Sequence, residues 1–471
     1  TGEDGRDQEV TNNGHASTWV VGGGYVGLPF TTLLAHHGHH VTIVEIDEAK
    51  RALIADRISP IDEPRLPEML AAGRSAGLID VDNAVRSYDP EDLHVVFLCV
   101  GTPTGGGEFG HAADLTALKA AARAASNALG EADDVLLVIR STVPPGTAAE
   151  VKALTGRTVV SNPEFLREGT AVDDLLNQTR VVLGGPGWAT EIIRKTYYPN
   201  VACLRMSNES AELAKYASNV MLGVRLTVMN ELADICEGLT EAKIGDVRAV
   251  LATDPRIGDS FLAPSAGAGG PCLSKDMAAL AWAATREIAS PDKEHLRLFS
   301  VPGTITMASR VNAERMKNYL YDRLVKHLGV PLQAATIGVW GLTFKPGTDD
   351  IRTSAATELV WRLARAGVKV RCHDPNKLAR IHMLDDKVSV LGHLHELVEV
   401  CSTPESAARE VDALVIATDW PEYNLETLKA AANVMVGDLV IDGRGSFRDH
   451  EVRACGLIPA IIGEPFKGEL A

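Results

Sequence analysis

One stretch near the start of the chain limits the possible folds more than any other. It reads VVGGGYVGLPF and spaces Gly22, Gly24 and Gly27 as GxGxxG, between a short apolar strand at Trp19–Val21 and a helical pattern that runs to about His37. Glycines at this spacing permit a tight strand-to-helix turn and a close approach of the backbone to a pyrophosphate. The stretch therefore predicts the first βαβ unit of a dinucleotide-binding domain, with the pyrophosphate at the helix N-terminus.

The next strand ends in an acidic residue at the spacing that such a unit requires. Val41–Val44 is apolar, and Glu45 follows it. A carboxylate at this place accepts hydrogen bonds from ribose hydroxyls and repels a 2′-phosphate. The sequence therefore predicts NAD as the cofactor and disfavours NADP. A βα turn of the same shape without a ligand is the alternative.

Two further buried strands end in loops that carry threonine. HVVFLCVGTPT (residues 94–104) and VLLVIRSTVPPGT (residues 135–147) place Thr102 and Thr142 after their apolar runs. The carboxyl ends of the strands form the ligand crevice in an open parallel sheet, so both loops are expected to face the cofactor. Threonine and proline also end strands where no ligand binds, and that interpretation stays open.

The strand that ends at Asn162 is followed by Glu164 and an apolar pair, within VVSNPEFLREGTAVDDL (residues 159–175). A carboxylate beside phenylalanine and leucine is a candidate for a raised pKa, and hence for proton transfer near neutral pH. The same residue is equally consistent with an acid that caps the first turn of a helix.

Residues 207–240 form one long helical pattern with a serine-rich start. Lys215 and Asn219 are four positions apart and therefore share one face. Because Lys215 has no acid four positions before or after it, we expect it to point toward a site instead of into a surface ion pair. A helix this rich in apolar residues joins two domains or forms an oligomer interface.

SAGAGGPCLSKD (residues 265–276) surrounds one cysteine with glycine, proline and charge. Three glycines and a proline precede Cys272, and Lys275 and Asp276 follow within one helical turn. A thiol beside an ammonium and near a helix N-terminus is expected to have a lowered pKa and to be nucleophilic. The alternative is a small buried apolar residue. A core position does not require this glycine-rich context, which favours the functional interpretation.

The second half of the chain repeats the strand–loop–helix pattern. Thr336–Trp340 is an apolar strand, residues 341–350 form a loop, and a helix is predicted from about Arg352. Further strands follow in VKVRCHDP, which ends at Asp374, and in ALVIATDW and LVIDGRG. The turn lacks GxGxxG but carries Lys345 and Arg352, which favours a phosphorylated ligand. The alternative is that both cations lie on a solvated surface.

These patterns predict an α/β protein with two doubly wound, Rossmann-like parallel-sheet domains, joined by a long central helix and a helical middle domain. The 471 residues exceed what one core supports. The expected division is a disordered leader at 1–17, an NAD-binding domain at 18–205, a central dimerisation domain with the cysteine loop at 206–328, and an α/β domain for the phosphorylated ligand at 329–471.

Composition excludes several classes of partner. A net charge of −16 argues against nucleic acid or an anionic membrane surface, although not against a small anion. No apolar run is long enough to span a membrane, and no signal-peptide pattern opens the chain. Seven scattered cysteines without a CxxC pair indicate reduced thiols in a cytoplasm. We therefore expect neither a metal site nor a disulfide framework.

The motifs, taken together and in order, resemble those of the UDP-glucose/GDP-mannose dehydrogenase family over essentially residues 18–460. They are GGGYVGLP (22–29), VGTPT (100–104), STVPPGT (141–147), NPEFLREGTA (162–171), AELAKYASN (211–219), GAGGPCLSKD (267–276), GLTFKPGTDDIR (341–352) and DGR (442–444). The resemblance implies an NAD-dependent enzyme that oxidises C6 of a nucleotide sugar by four electrons.

The resemblance also implies residue roles. The catalytic group would be Cys272 as nucleophile, Lys215, Asn219 and Asp276 around it, Glu164 as acid/base of hydrolysis, and Thr142 on the reacting water. The cofactor contacts would be Gly22, Gly24, Tyr25, Val26, Gly27, Glu45, Lys50, Thr102, Thr142, Glu168 and Arg352. The substrate contacts would be Phe165, Leu166, Arg167, Lys215, Asn219, Arg256, Gly269, Lys345 and Arg444. In the family, an arginine like Arg256 reaches the neighbouring subunit's sugar nucleotide, which implies a homodimer through the central helix.

The cysteine loop departs from the commoner family pattern. Ala268 and Gly-Gly-Pro-Cys-Leu stand where many relatives have a phenylalanine and Gly-Gly-Ser-Cys-Phe. This difference bears on the base and the sugar more than on the chemistry. Phe165-Leu166 after Asn-Pro-Glu favours a glucose- or mannose-type hexose over an N-acetylated one. UDP-glucose and dTDP-glucose are the expected substrates, with GDP-mannose as the alternative.

Two other functions fit the same scaffold. One is a two-electron dehydrogenase in which Cys272 is only structural. The other is an NAD-binding sensor on an inactive dehydrogenase. The joint presence of Cys272, Lys215, Asp276 and Glu164 argues against the sensor, because a sensor needs no such set of chemical groups.

Overall fold

The computed structural model describes residues 16–86, 93–105, 113–130, 135–267, 270–288 and 304–468, and within these it leaves out the side chains of residues 271, 272, 282–288 and 304. The chain divides into two compact units, residues 1–103 with 114–215 and residues 104–113 with 216–471, called here the first and second units. The division into three domains expected from the sequence stays a prediction.

The first unit contains an eight-stranded sheet in the order β3-β2-β1-β4-β5-β6-β7-β8. Its strands are β1 Ser17–Val21, β2 Val41–Val44, β3 Ile79–Asp82, β4 His94–Leu98, β5 Val135–Ile139, β6 Thr158–Ser161, β7 Arg180–Gly184 and β8 Ala202–Met206. Strands β1 to β6 are parallel. Strand β7 meets β6 in the antiparallel sense and pairs parallel with β8. The last two strands therefore run opposite to the rest, a reversal that the sequence patterns did not predict.

Helices cover this sheet. They are α1 Gly27–His36, α2 Glu48–Ala55, α3 Leu66–Ser75, α4 Thr116–Ala128, α5 Thr147–Thr155, α6 Ala171–Leu176, α7 Gly187–Tyr197 and the start of α8 Asn208–Glu237. Along β4, Val96 and Leu98 pack in one core cluster and Val95 and Phe97 in another. A strand that buries both faces reads as a continuous apolar run, as seen in the sequence.

The second unit contains a six-stranded parallel sheet in the order β11-β10-β9-β12-β13-β14. Its strands are β9 Thr336–Trp340, β10 Lys369–His373, β11 Val398–Val400, β12 Ala413–Ile416, β13 Leu439–Asp442 and β14 Ile458–Ile461. The helices are α9 Ile244–Thr253, α10 Pro271–Ile288, α11 Thr304–His327, α12 Ala355–Arg365, α13 Lys377–Leu391, α14 Pro404–Ala408, α15 Leu425–Ala432 and α16 Asp449–Arg453. The strand order is that of a doubly wound dinucleotide-type fold.

The predicted fold class is confirmed: two Rossmann-like α/β sheets and a helical middle region. One boundary was wrong, since α12 begins at Ala355 and not at Arg352. Ser354 caps this helix by accepting a hydrogen bond from the Ala356 N–H, which leaves Arg352 in the preceding loop. Within the described residues, the longer helices are all too polar to cross a bilayer.

Candidate active site

The loop after β1 has the shape that the glycine spacing predicts. A Cβ at Gly22, whose φ is +109°, would lie 2.7 Å from the Cys99 carbonyl oxygen, and a Cβ at Gly27 would lie 1.9 Å from the Gly22 carbonyl oxygen. A Cβ at Gly24 would meet no atom within 4 Å. Two of the glycines are therefore required by the fold, and the third borders open space where a pyrophosphate fits against the N-terminus of α1.

Glu45 lies beside this loop, at the end of β2. Its carboxylate accepts hydrogen bonds from the Gly23 N–H and the Asp47 N–H, both at 2.9 Å, and the residue is 9% exposed. Each carboxylate oxygen keeps acceptor capacity for a ribose hydroxyl. The residues present therefore fit a dinucleotide whose adenosine ribose carries no 2′-phosphate.

Three other predicted cofactor residues lie near the same turn. Tyr25 and Val26 are half-buried just before α1 and pack against separate core clusters. Lys50 is exposed in the first turn of α2.

The two threonine loops meet at the carboxyl ends of β4 and β5. The Thr102 hydroxyl donates to the Thr142 carbonyl at 2.7 Å. The Ser141 hydroxyl donates to the Val100 carbonyl at the same distance. These contacts bring Thr102 and Thr142 together, as the parallel topology predicts.

Lys215 and Glu164 form a buried ion pair in the first unit. The ammonium lies 3.2 Å from Glu164 Oε1, and the two side chains are 7% and 9% exposed. The ring of Phe165 lies 5.3 Å from the same ammonium. Glu164 Oε2 also accepts from the Leu166 N–H at 2.5 Å. The helix-capping alternative for Glu164 was wrong, because the next helix, α6, begins only at Ala171.

A cavity of about 370 Å³ opens beside Glu164, Phe165 and Leu166. Arg140, which sequence reasoning missed, also lines this cavity and is 3% exposed. Its guanidinium donates to Asn162 Oδ1 at 2.9 Å and lies over the ring of Phe30. The sequence signal that could have identified Arg140 is its position directly after the apolar strand β5.

Two further predicted residues, Arg167 and Glu168, follow Glu164 in the same loop. Arg167 pairs with Asp174 at 2.5 Å and its side chain is 66% exposed. Glu168 is half-buried in the turn before α6.

In the second unit, Asp276 is held by two neighbours. The Asn219 amide donates to Asp276 Oδ2 at 2.5 Å, and the Lys275 ammonium lies 2.7 Å from Oδ1. Asp276 is 1% exposed. Cys272 is the second residue of α10, but its side chain, like the whole of Gly269, lies outside the described residues.

The other six cysteines are free and share one property, an elevated thiol pKa. In each, the largest cause is burial, which disfavours the thiolate. It raises the pKa of Cys99 to about 12. A thiol that stays protonated is a poor nucleophile, so the raised pKa makes these six thiols poor candidates for nucleophilic catalysis.

Ala266 and Gly270, two described residues that precede Cys272, lie against two loops of the second sheet. Gly270 has a φ of +80°, and a Cβ there would lie 2.9 Å from the ring of Phe344. The Ala266 N–H donates to the Gly443 carbonyl at 3.4 Å. Phe344 and Gly443 directly precede two predicted substrate residues in the chain, Lys345 and Arg444.

Those two loops are fixed by their own contacts. Arg444 donates to Asp419 Oδ1 at 2.9 Å and to the Phe344 carbonyl at 3.1 Å. The Lys345 ammonium lies 5.7 Å from the centre of the Phe344 ring. The structure thus joins the Lys345 loop to the Arg444 loop.

Arg256 and Arg352, two further predicted binding residues, are both exposed. Each pairs with an aspartate two positions earlier in the chain, Asp254 at 2.6 Å and Asp350 at 2.7 Å, and the two arginine side chains are 87% and 59% exposed. Within the described part of the chain, no group of three or more metal-binding side chains is present.

Two buried aspartates accept hydrogen bonds from the backbone of the Lys345 and Arg444 loops. Asp374 Oδ2 accepts from the N–H groups of Leu342 and Thr343, at 2.7 and 3.1 Å, and burial raises its pKa. Asp442 accepts from the Arg444 N–H at 3.0 Å, and burial raises its pKa to about 6. Sequence reasoning noted Asp374 only as the end of a strand. Its supporting contacts depend on segments distant in the chain.

Three family models of the UDP-glucose/GDP-mannose dehydrogenase family match the chain. The NAD binding domain matches residues 16–201, the central domain residues 209–293, and the UDP binding domain residues 338–449.

Individual relatives extend this similarity over nearly the whole chain. A UDP-glucose 6-dehydrogenase of Rhizobium meliloti is 35% identical over 465 residues, which are 95% of this chain and 99% of the relative. Among solved structures, a UDP-glucose dehydrogenase from Pyrobaculum islandicum gives a TM-score of 0.78 at 30% identity, covering 96% of this chain and 98% of its own. A UDP-D-ManNAc dehydrogenase from Pyrococcus horikoshii gives 0.76 at 26% identity, covering 95% and 99%.

Proposed function

The chain belongs to the UDP-glucose/GDP-mannose dehydrogenase family, and from this premise we propose that it oxidises the C6 hydroxyl of UDP-glucose or dTDP-glucose to the carboxylic acid. As a member of the family it is an NAD-dependent nucleotide-sugar dehydrogenase. The observation that carries the four-electron proposal is the packing of Gly270 on Phe344 and of Ala266 on Gly443. These contacts set Ala266 and Gly270, which precede Cys272 in the chain, against the two loops expected to bind the nucleotide sugar.

The proposed reaction converts RCH₂OH, water and two NAD⁺ to RCOOH, two NADH and two protons. NAD supplies the acceptor for one hydride in each of two oxidations. The Cys272 thiolate adds to the aldehyde carbon and forms a thiohemiacetal. This covalent bond keeps the half-oxidised sugar from leaving. Loss of a hydride from that carbon gives a thioester. Water then adds to the carbonyl, the C–S bond breaks, and the acid is released.

The polar residues of the site would support these steps. Lys215 and the Asn219 amide are proposed to stabilise the oxyanion, a role for which one donor contributes about 3–4 kcal/mol. Asp276 would move protons through water, Glu164 would act as the acid/base of hydrolysis, and Thr142 would hold the hydrolytic water. The buried contacts Lys215–Glu164 and Asn219–Asp276 support these roles, because each fixes a donor and an acceptor away from bulk solvent.

The names of the relatives and the residues beside the cavity bear on the sugar and the base. The Rhizobium meliloti and Pyrobaculum islandicum relatives are both named for UDP-glucose, whereas the Pyrococcus horikoshii relative is named for an N-acetylated sugar. Phe165-Leu166 beside the cavity favours the former type. A GDP-mannose substrate is the alternative.

We also propose a homodimer through α8. Met221, Val228 and Ile235 are 62%, 47% and 58% exposed and follow one another at intervals of seven residues. That spacing places them along one face of the helix. An apolar stripe of this kind, on a helix of 30 residues, is typical of an oligomer interface.

The stoichiometry of turnover tests the function. UDP-glucose, dTDP-glucose and GDP-mannose are each offered with excess NAD, and NADH is counted per sugar consumed. Two NADH are expected with a UDP- or dTDP-hexose. One NADH would instead indicate a two-electron dehydrogenase, and no NADH with any sugar would indicate a sensor. Cys272→Ser is expected to stall or to accumulate a slowly hydrolysing ester; full turnover to the acid would rule out covalent catalysis.

A further inference from the structure

Glu212 is a buried carboxylate to which the proposed mechanism gives no role. It lies in the second turn of α8 and is 2% exposed. Its oxygens accept three hydrogen bonds: from the Gly146 N–H at 2.7 Å, from the Ala148 N–H at 2.8 Å and from the Ser161 hydroxyl at 3.1 Å. One side chain thus joins α8 to the start of α5 and to the end of β6.

The contact with α5 satisfies groups that the helix cannot satisfy itself. The first N–H groups of a helix have no partner within it. Gly146, the residue before α5, has no side chain to cap them and holds a φ of +95°. Glu212 supplies the acceptor from another element, so the course of the loop before α5 depends on this carboxylate.

Each anchor of Glu212 is close in the chain to a proposed catalytic residue. Thr142 lies in the loop that Gly146 ends, Glu164 lies three positions after Ser161, and Lys215 lies three positions after Glu212 itself. We propose that Glu212 is a positioning residue, which holds the loops of Thr142 and Glu164 in register with Lys215. This inference rests on the proposed function, because it assigns those residues a shared task.

The three hydrogen bonds that Glu212 accepts are called the clamp here. The charge state of Glu212 decides whether all three can form. Burial raises the pKa of Glu212 to about 7, against the three hydrogen bonds, which lower it. Glu209 on the same helix adds like charge. Of the charged groups on the packed elements, Glu150 of α5 pairs with Lys119 at 2.7 Å, Glu164 after β6 pairs with Lys215 at 3.2 Å, and Lys152 of α5 is exposed.

Protonation of Glu212 would weaken the clamp. The oxygen that carries the proton accepts poorly, and a backbone N–H that faces it cannot become an acceptor. At least one of the N–H groups of Gly146 and Ala148 therefore loses its partner below neutral pH. The proposal predicts turnover that falls on the acid side for this reason.

Glu212→Gln tests the proposal, with the exposed Glu209→Gln as the matched control on the same helix. At pH 8.5, Glu212→Gln is expected to lower kcat by about tenfold, since one N–H then faces an amide donor, with little change in KM. At pH 6 the two enzymes are expected to converge, because wild-type Glu212 is itself protonated. A wild-type kcat at pH 8.5, or an equal deficit at both pH values, would overturn the proposal.

A second readout does not need turnover. Amide hydrogen exchange of the peptide that contains Gly146 and Ala148 is expected to be faster in Glu212→Gln than in wild type and Glu209→Gln at pH 8.5. Unchanged protection would overturn the clamp itself. If no sugar gives NADH in the wild type, the proposed function fails, whereas the exchange result still decides the clamp.

A milder variant covers the case in which Glu212→Gln does not fold. Ser161→Ala removes one donor and keeps the carboxylate, so the pKa of Glu212 is expected to rise further. The acid side of the kcat profile should then move to higher pH. An unmoved profile would contradict the proposal.

Discussion

The ammonium of Lys215 lies 3.2 Å from a carboxylate oxygen of Glu164, and both side chains are almost completely buried. One residue comes from α8 and the other from the loop after β6. Removal of one partner from a buried pair leaves an uncompensated charge, which is strongly destabilising. The pair therefore fixes both the place and the charge of a proposed oxyanion donor and a proposed proton carrier.

The coupling between these residues is measurable as stability. Lys215→Met alone is expected to lower the free energy of unfolding by about 3 kcal/mol, and Lys215→Met with Glu164→Gln by less than the sum of the single changes. Chemical denaturation of the four proteins measures the difference. The Lys195–Glu191 pair, whose lysine side chain is 69% exposed, serves as the control and is expected to couple by less than about 1 kcal/mol. Strict additivity at Lys215 and Glu164 would show that they act independently.

Glu164→Gln is also expected to separate oxidation from hydrolysis. The two oxidations do not need Glu164 as a base in the proposed scheme, whereas opening of the thioester does. Rapid mixing should therefore show a fast burst of NADH, followed by a steady rate about 100-fold below wild type. Glu150→Gln, an exposed change on α5, should behave as wild type. A variant without a burst, slowed equally in all phases, would refute this assignment.

Of the glycines after β1, Gly27 should be required for folding and Gly24 for NADH binding. Gly27→Ala would force a Cβ to 1.9 Å from a carbonyl oxygen, so it is expected to disrupt folding. Gly24→Ala faces open space and should keep the melting temperature, while NADH binding weakens by about tenfold, or ~1.4 kcal/mol. Thermal denaturation and fluorescence titration with NADH distinguish the two effects. Unchanged NADH binding in Gly24→Ala would place the pyrophosphate elsewhere.

The dimer is tested by a charge on the exposed face of α8. Val228→Glu buries a carboxylate in any interface formed by the stripe, and it should yield monomers in analytical ultracentrifugation. Val436→Glu, at a valine that is 73% exposed, is the matched control and should leave the assembly unchanged. If Val228→Glu sediments like the wild type, α8 is not the interface.

The second unit contains a buried histidine whose pKa burial lowers to about 4. Its ring, that of His373, lies 3.0 Å from the Tyr423 hydroxyl. Between the ordinary pKa of about 6.5 and this value, the unfolded chain takes up a proton that the folded chain does not. Stability should therefore be lost as the pH falls from about 6.5 to 4, by up to about 3 kcal/mol from this group.

His373→Asn removes this titration. Compared with wild type, its loss of stability between pH 6.5 and 4 should be smaller in denaturation experiments. The exposed His450→Asn should retain the wild-type slope. Equal slopes in wild type and His373→Asn would mean that His373 is protonated in the folded protein.

The fold was predictable because its signals are local. Strand β2 and the strand Thr336–Trp340 were predicted with their observed bounds, since apolar runs flanked by glycine and acidic residues are read over a few positions. The reversed strands β7 and β8 were missed. Their direction depends on which neighbour they pair with, and that information is not local.

The candidate site also combines features set by local sequence with features set by packing. The sequence by itself determined the chemical groups: a glycine turn with Glu45, a cysteine framed by glycine and proline, and basic loops in the second sheet. Only the tertiary structure decided that Lys215 pairs with Glu164 and that Glu212 joins α5 to β6. The physical reason is that burial and pairing join residues far apart in the chain, so the partner of a buried charge is fixed by how the elements pack and not by its neighbours in sequence.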